Sequence, residues 1–333
     1  MLPNHFISAD EQAELQLFTE SLERFCDAEI EPHYRTWEKA GRVPRDLLRK
    51  MGENGYLCAD VPDTYGGPGA SVPFSFAVVE VLSRRGYGGF VGGLQVHNDI
   101  IPPYLLHCGT EAQRAHWLPR MASGEAIAAI GMTEPGAGSD LKAIRTTARR
   151  VSDSDGDHYV INGSKIFISN GQNCDLVLAA KTDPAAGAKG VSLFLVDAST
   201  PGFTRGQNLE KIGQHAGDTS ELFFNDMRVP LDALLGGVEG QGFVQMMREL
   251  PRERLIIGVQ AVHGAKGALD ATLKYVQERQ AFGQPIGQFQ NTRFTLAQCA
   301  TDIAAAEAFL NASVAAYQQG QLTPEAVSAL KLH

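Results

Sequence analysis

Apolar residues in this chain change their spacing twice, and that change limits the fold more than any single motif. Up to about residue 127 the spacing is helical: Leu15, Phe18, Leu22 and Phe25 recur along one face, with Ser8, Asp10 and Glu11 as a polar, acidic start. Asp46–Met51, Phe74–Leu82 and Glu111–Met121 read as further helices, with DTYGGPGA (Asp63–Ala70) as a Gly/Pro loop. From about residue 128 the pattern turns β-rich. HYVINGSKIFISN (His158–Asn170) holds two β-rich runs around Asn162–Gly163, which predicts a hairpin with an Asn-Gly turn. Leu176–Ala180, Val191–Val196 and Glu221–Val229 predict further strands, with turns at Pro184–Gly190 and Pro201–Gly202. After Gly242 helical spacing returns, in Gln260–Gln280 (Val262, Leu269, Leu273, Val276) and Ala297–Gln318. The class is therefore α+β: an N-terminal helical domain (1–127), a small middle β-barrel domain (128–238) and a C-terminal helical bundle (239–333).

Charge and cysteines exclude several functions. The 333 residues carry 29 Lys and Arg against 38 Asp and Glu, a net charge of −9, which argues against broad nucleic-acid binding. Five cysteines, an odd number without CxxC spacing, point to reduced thiols in a cytoplasm-like compartment. No apolar run has transmembrane length, and MLPNHFISADEQAEL at the start has no signal-peptide pattern, so neither membrane nor secretion is expected. Nine histidines show no HExxH or other paired-ligand spacing, so no metal site is expected. GGVEGQG (Gly236–Gly242) follows a loop rather than a strand, which speaks against a Rossmann domain; there is no P-loop and no GxSxG elbow.

One octapeptide stands out: TEPGAGSD at Thr133–Asp140. Pro135 fixes one φ, Gly136 and Gly138 permit backbone angles denied to other residues, and such a turn can press its amides against a flat ligand. By composition it is a turn and nothing more. Three other segments accompany it in order: NGSKIFISNG (Asn162–Gly171), KIGQHAGDTSELFFNDMRVP (Lys211–Pro230) and ERQAFGQPIGQFQ (Glu278–Gln290). Together with the α–β–α order they resemble the acyl-CoA dehydrogenase family over essentially the whole chain. ELPRERL (Glu249–Leu255) is most similar to its long-chain branch.

The resemblance implies an FAD enzyme that oxidises an acyl-CoA thioester to the trans-2-enoyl-CoA. An α-proton goes to a base, the β-hydrogen goes as hydride to flavin N5, and electrons pass on to an electron-transferring flavoprotein. It also implies a homotetramer built as a dimer of dimers. The base maps to Glu253; on its own, a helical Glu between Arg252 and Arg254 reads as a solvated surface residue. For FAD, the resemblance implies Ile130, Gly131, Met132 and Thr133, then Glu134, Pro135, Gly136, Ala137, Gly138 and Ser139, along the pyrimidine side. Phe167, Ile168 and Ser169 pack against the ring, where many relatives have Trp and Thr at the first and last of these positions. Arg279 and Gln290 reach the diphosphate of a neighbouring subunit's FAD, a task that suits a guanidinium fork. Ser139, Val244, Pro251, Arg252 and Arg254 contact the acyl-CoA, and Arg248, Arg252 and Arg254 form a local basic patch. Pro251 either breaks a rung inside its helix and clashes with the carbonyl of Met247, kinking the helix, or sits in the first turn of a shorter one.

The last residues predict a helix capped by Thr323, with Pro324 and Glu325 in its first turn and Val327 and Leu330 on one face. It stops in mid-helix at His333, as a C-terminally truncated chain does, and relatives continue further. Two alternatives to the dehydrogenase remain open on sequence: an acyl-CoA oxidase-like flavoenzyme, and a non-catalytic acyl-CoA- or flavin-binding remnant. The acyl group is not legible.

Overall fold

The computed structural model describes residues 7–154 and 156–333; the N-terminal reading therefore lies, for Met1–Phe6, outside the described residues. Among the described residues seven α-helices come first: α1 (Ala9–Phe25), α2 (Tyr34–Ala40), α3 (Arg45–Glu53), α4 (Val72–Arg84), α5 (Gly88–Gln95), α6 (Ile101–Cys108) and α7 (Glu111–Ala122). Their ends are chemically marked. Ser8 caps α1 by accepting from the Glu11 amide, and Thr110 and Gln113 cap α7 reciprocally.

Between α5 and α6 the chain makes a π-helical turn, Val96–Ile100, just before Pro102 and Pro103, neither of which has an amide to continue the ladder. The wider turn brings His97, Asn98 and Asp99 into the interior together. Burial pushes the His97 imidazole down to about 4, so it is neutral. Its Nδ1 accepts from the Ala128 amide at 3.1 Å, which leaves Nε2–H to donate to the Met121 carbonyl at 3.0 Å. One ring thus ties the end of α7 to the first strand.

The middle domain is one curled seven-stranded sheet of β1 (Ala128–Gly131), β2 (Thr147–Asp153), β3 (Gly156–Ser169), β4 (Asp175–Lys181), β5 (Val191–Val196), β6 (Phe203–Asn208) and β7 (Thr219–Pro230). Pairing runs β1-β4-β2-β3-β7-β6, and β5 joins the other edge of β4. The expected hairpin at Asn162–Gly163 is wrong: β3 runs straight through those residues for 14 residues. Its register against β7 shifts between Ile161 and Gly163, so the dipeptide is a bulge. Gly163 has φ +151°, and a Cβ there would lie 2.4 Å from Thr146 Oγ1 and 2.7 Å from its Cα. Close approach of a neighbouring segment, not a chain reversal, demands the glycine.

Three helices follow. α8 (Gly242–Glu278) and α9 (Gln290–Gln318) begin earlier than their spacing indicated, and a two-stranded ribbon, β8 (Gln280–Ala281) with β9 (Gln284–Pro285), joins them. α10 (Pro324–Leu332) is capped by Thr323, with Val327 and Leu330 buried. The N- and C-terminal helices share one core, in which Leu22, Met51 and Leu82 are clustered with Leu255, Ile256 and Leu310. A second core sits between α6, α7 and the sheet and includes Met246. The stretch of α8 between Met246 and Leu255 therefore crosses from one core to the other. Among the described residues no helix is long and apolar enough to cross a membrane.

Candidate active site

Glu253 lies on that crossing stretch and is only partly accessible. Pro251 is inside α8, well past its first residue, Gly242, so the shorter-helix alternative is excluded. The missing amide relieves the Met247 carbonyl of its rung just before Glu253. Burial raises the Glu253 carboxyl above the usual carboxylate range. Glu249, one turn earlier on the same face, pushes it the same way; a hydrogen bond from Tyr104 and the charges of Arg254 and Lys331 oppose it. Tyr104, on α6, donates its hydroxyl to Glu253 Oε1 at 2.7 Å. Burial and then the charge of Glu253 drive its phenol upward, so it stays protonated. A second contact joins the same two helices, with His107 Nδ1 lying 3.0 and 3.1 Å from the two oxygens of the buried Glu249.

Tyr104 and His107 had no sequence signal, and Glu249 stood only as the first residue of ELPRERL, with no role given to it. Their partners are 149 and 142 residues distant, and an isolated Tyr in IPPYLLHC reads as core.

Arg252 turns into the protein. It is buried, with Nη1 2.5 Å from Asp60 and Nη2 3.1 Å from Asp99, and its guanidinium lies 5.6 Å from the Phe76 ring centroid. Its place among the substrate contacts is corrected: neighbouring residues on a helix point about 100° apart, so Arg252 turns inward where Glu253 turns toward α6. Arg254 donates to Ser328 Oγ at 2.9 Å and reaches α10, and Val244 is exposed near the start of α8.

The octapeptide forms a tight turn. The Glu134 and Ala137 amides and carbonyls bond reciprocally, at 2.9 and 3.1 Å. The Glu134 side chain is buried and turns into the protein, not to the accessible edge where a cofactor contact was expected of it. It takes Lys165 Nζ at 2.8 Å and the Arg145 and Thr146 amides at 2.6 and 2.9 Å. Burial pushes this carboxyl up, but those donors together hold it below its ordinary value. Lys165 also donates to the Met132 carbonyl at 3.1 Å, and the Ile166 amide to that of Thr133 at 3.0 Å, so the turn is pinned to β3. Gly131 and Ala137 are buried too, and Ile130 and Met132 pack against the second core. The accessible edge is Pro135, Gly136, Gly138 and Ser139, with Thr133 partly open beside it. Neither Gly136 nor Gly138 takes a positive φ, so the special backbone freedom is not used; a Cβ on either would meet nothing, so what they provide is open surface.

Next to this turn, β3 bulges between Lys165 and Ile168. Phe167 takes φ +62°, uncommon for a bulky residue, and is 64% exposed. Ile168, expected at the ring, is instead buried inside the sheet, because alternation turns it opposite to Phe167; Ser169 is partly accessible. The bulge thus presents one bare aromatic face beside a side-chain-free turn, a surface that fits a planar heteroaromatic ring.

Arg279 and Gln290 are exposed on either side of the ribbon between α8 and α9. Phe282 at its tip is 95% exposed, and Tyr275 and Phe294 are exposed nearby. A groove of about 470 Å³, lined by Leu269, Leu273, Val276 and Leu296 among others, runs alongside.

Residues 12–125, 129–227 and 240–333 match the N-terminal, middle and C-terminal domains of acyl-CoA dehydrogenase. The long-chain specific acyl-CoA dehydrogenase, mitochondrial, of Sus scrofa is 40% identical over 96% of this chain and 73% of its own. The crystal structure of acyl-CoA dehydrogenase from Geobacillus kaustophilus superimposes with TM-score 0.91 at 42% identity, over 98% of this chain and 84% of that one. A glutaryl-CoA dehydrogenase from Mycobacterium smegmatis, in complex with FADH2, superimposes with TM-score 0.88 at 28% identity, over 99% and 82%.

Proposed function

Because the chain belongs to the acyl-CoA dehydrogenase family, and so is a flavin-dependent oxidoreductase, we propose that it converts a long- or branched-chain acyl-CoA to the trans-2-enoyl-CoA with Glu253 as the α-proton base. The carrying observation is the Glu253 carboxyl itself: half-buried, raised above its usual range, and held by Tyr104. A thioester α-proton is weakly acidic, and a desolvated carboxylate is a stronger base toward it than a hydrated one. Bound FAD supplies the oxidant for the carbon–hydrogen bond β to the carbonyl. On this reading Phe167 and Ser169 flank the ring from β3, and Thr133, Pro135, Gly136, Gly138 and Ser139 hold it with backbone and hydroxyl groups. Arg254 and Ser139 receive the acyl-CoA.

The exposed ribbon supports a further part of the reading. Phe282, Phe294 and the apolar groove form a patch that monomeric proteins avoid, and Arg279 and Gln290 sit at its edge. A second copy covers it, so that those two residues reach the diphosphate of the copy's FAD, within a homotetramer. Electrons leave to an electron-transferring flavoprotein.

The test is direct. The full chain is loaded with FAD and mixed anaerobically with acyl-CoAs of graded length and branching. At least one long or branched substrate bleaches the yellow flavin and yields the 2-enoyl-CoA, and turnover depends on the flavoprotein acceptor. No bleaching by any substrate overturns the reading, and rapid peroxide formation without the acceptor makes the protein an oxidase. Gly136→Val checks the cofactor surface. It lowers bound FAD, read as the 450 nm to 280 nm absorbance ratio, and leaves melting of the flavin-free protein unchanged, because the new side chain meets open space.

A further inference from the structure

Tyr104 lies 149 residues before Glu253, is 0% exposed, and donates to Oε1 at 2.7 Å. His107, three residues further along α6, lies against Glu249, four residues before Glu253 on α8. Residues three and four apart share a helix face, so the two contacts are successive rungs between one face of α6 and one face of α8. The prolines and the π turn before α6 set that face.

We propose that Tyr104 is a positioning residue for the base. Its hydroxyl fixes the Glu253 rotamer, occupies Oε1, and leaves Oε2 to take the proton. The inference rests on Glu253 being the base and deepens that reading. Without a donor, a carboxylate in this place faces burial and the charge of Glu249, both favouring the protonated, inactive form. Arg254 on the same helix and Lys331 on α10 oppose them, and His107 faces Glu249 rather than Glu253. A neutral phenol that stays protonated stabilises the ionised carboxylate without adding a charge that competes for it.

Tyr104→Phe keeps the ring and removes the donor. The acid limb of kcat/KM moves up by about 1–2 pH units, the shift expected for one hydrogen bond to a charged group. At pH values below the limb kcat/KM falls about 10–100-fold, the factor that such a shift carries, and KM for the acyl-CoA stays within about threefold, because the substrate is not touched. A readout independent of turnover is the carboxyl titration of Glu253 by ¹³C NMR on the glutamate-labelled full chain. Its resonance is identified by its loss in Glu253→Gln, and its midpoint moves up with the limb. 3-Fluorotyrosine at position 104, a more acidic donor that retains the ring and hydroxyl, moves both midpoints down and covers the case in which the Phe variant does not fold. Unmoved midpoints in both, with Glu253→Gln inactive, overturn the role of Tyr104 and leave the base in place. An active Glu253→Gln overturns the base itself.

Discussion

Glu253→Gln lowers kcat about 10³-fold, within the range set by removing a general base, and abolishes exchange of the substrate α-proton with deuterated solvent. That factor corresponds to about 4 kcal/mol of the activation barrier. Gln keeps the length of the side chain and still accepts from Tyr104 through its Oε1, so the α6–α8 contact and the flavin surface are preserved; only basicity is lost. KM changes little. Stability supplies an independent sign. The folded-state pKa of Glu253 lies above its ordinary 4.5, so the folded protein binds the extra proton, and this group's contribution weakens as pH rises from there through the raised value. Above that window ionised Glu253 is a burden on the fold, and the Gln variant melts no lower than wild type at pH 8. A variant that stays within tenfold of wild type in turnover, or exchanges the α-proton freely, would falsify the assignment.

How much of this was legible in the sequence depends on whether a residue's task is local. Thr323 before Pro324 and the run Val191–Val196, apolar except for Ser192, were readable because caps and buried strands are defined by their own neighbours. Gly163 was not. Asn-Gly carries a strong local turn signal, but the demand for glycine comes from Thr146, which packs where a Cβ would stand. The same division runs through the site. The motif resemblance pointed to Glu253 and Phe167, but it carried a contiguous block and could not sort its members by direction. Glu134 turns inward to Lys165, and Ile168 into the sheet core. Tyr104 and His107 left no trace, since nothing in a stretch of sequence records a partner more than a hundred residues away.

Arg252 sharpens that lesson into a measurement. Two carboxylates, Asp60 and Asp99, close on its guanidinium; Asp99 is 0% exposed and also takes the hydroxyl of Ser75 at 2.7 Å. Burial pushes the Asp99 carboxyl up to about 6 even with the arginine beside it. Arg252→Ala leaves both acids buried without their cation, which costs about 3–5 kcal/mol of stability, the usual result of removing one partner of a buried ion pair. The loss has a pH signature. Deprived of Arg252, Asp99 takes a folded-state pKa still further above its ordinary 3.8, so the folded state holds a proton that the unfolded chain releases. The variant is then nearest to wild type near pH 5 and falls further behind toward pH 8, as seen by melting or urea unfolding at the two values. Replacing all three charges together, Arg252→Met with Asp60→Asn and Asp99→Asn, recovers much of the loss, since no unpaired charge remains. A substrate-binding Arg252 behaves in the opposite way: melting is unchanged, and KM for the acyl-CoA rises in the single variant and in the triple one alike. Arg252 and Glu253 are adjacent in the chain, yet one substitution reads out as stability and the other as turnover, because α8 turns the first into the protein and the second toward α6.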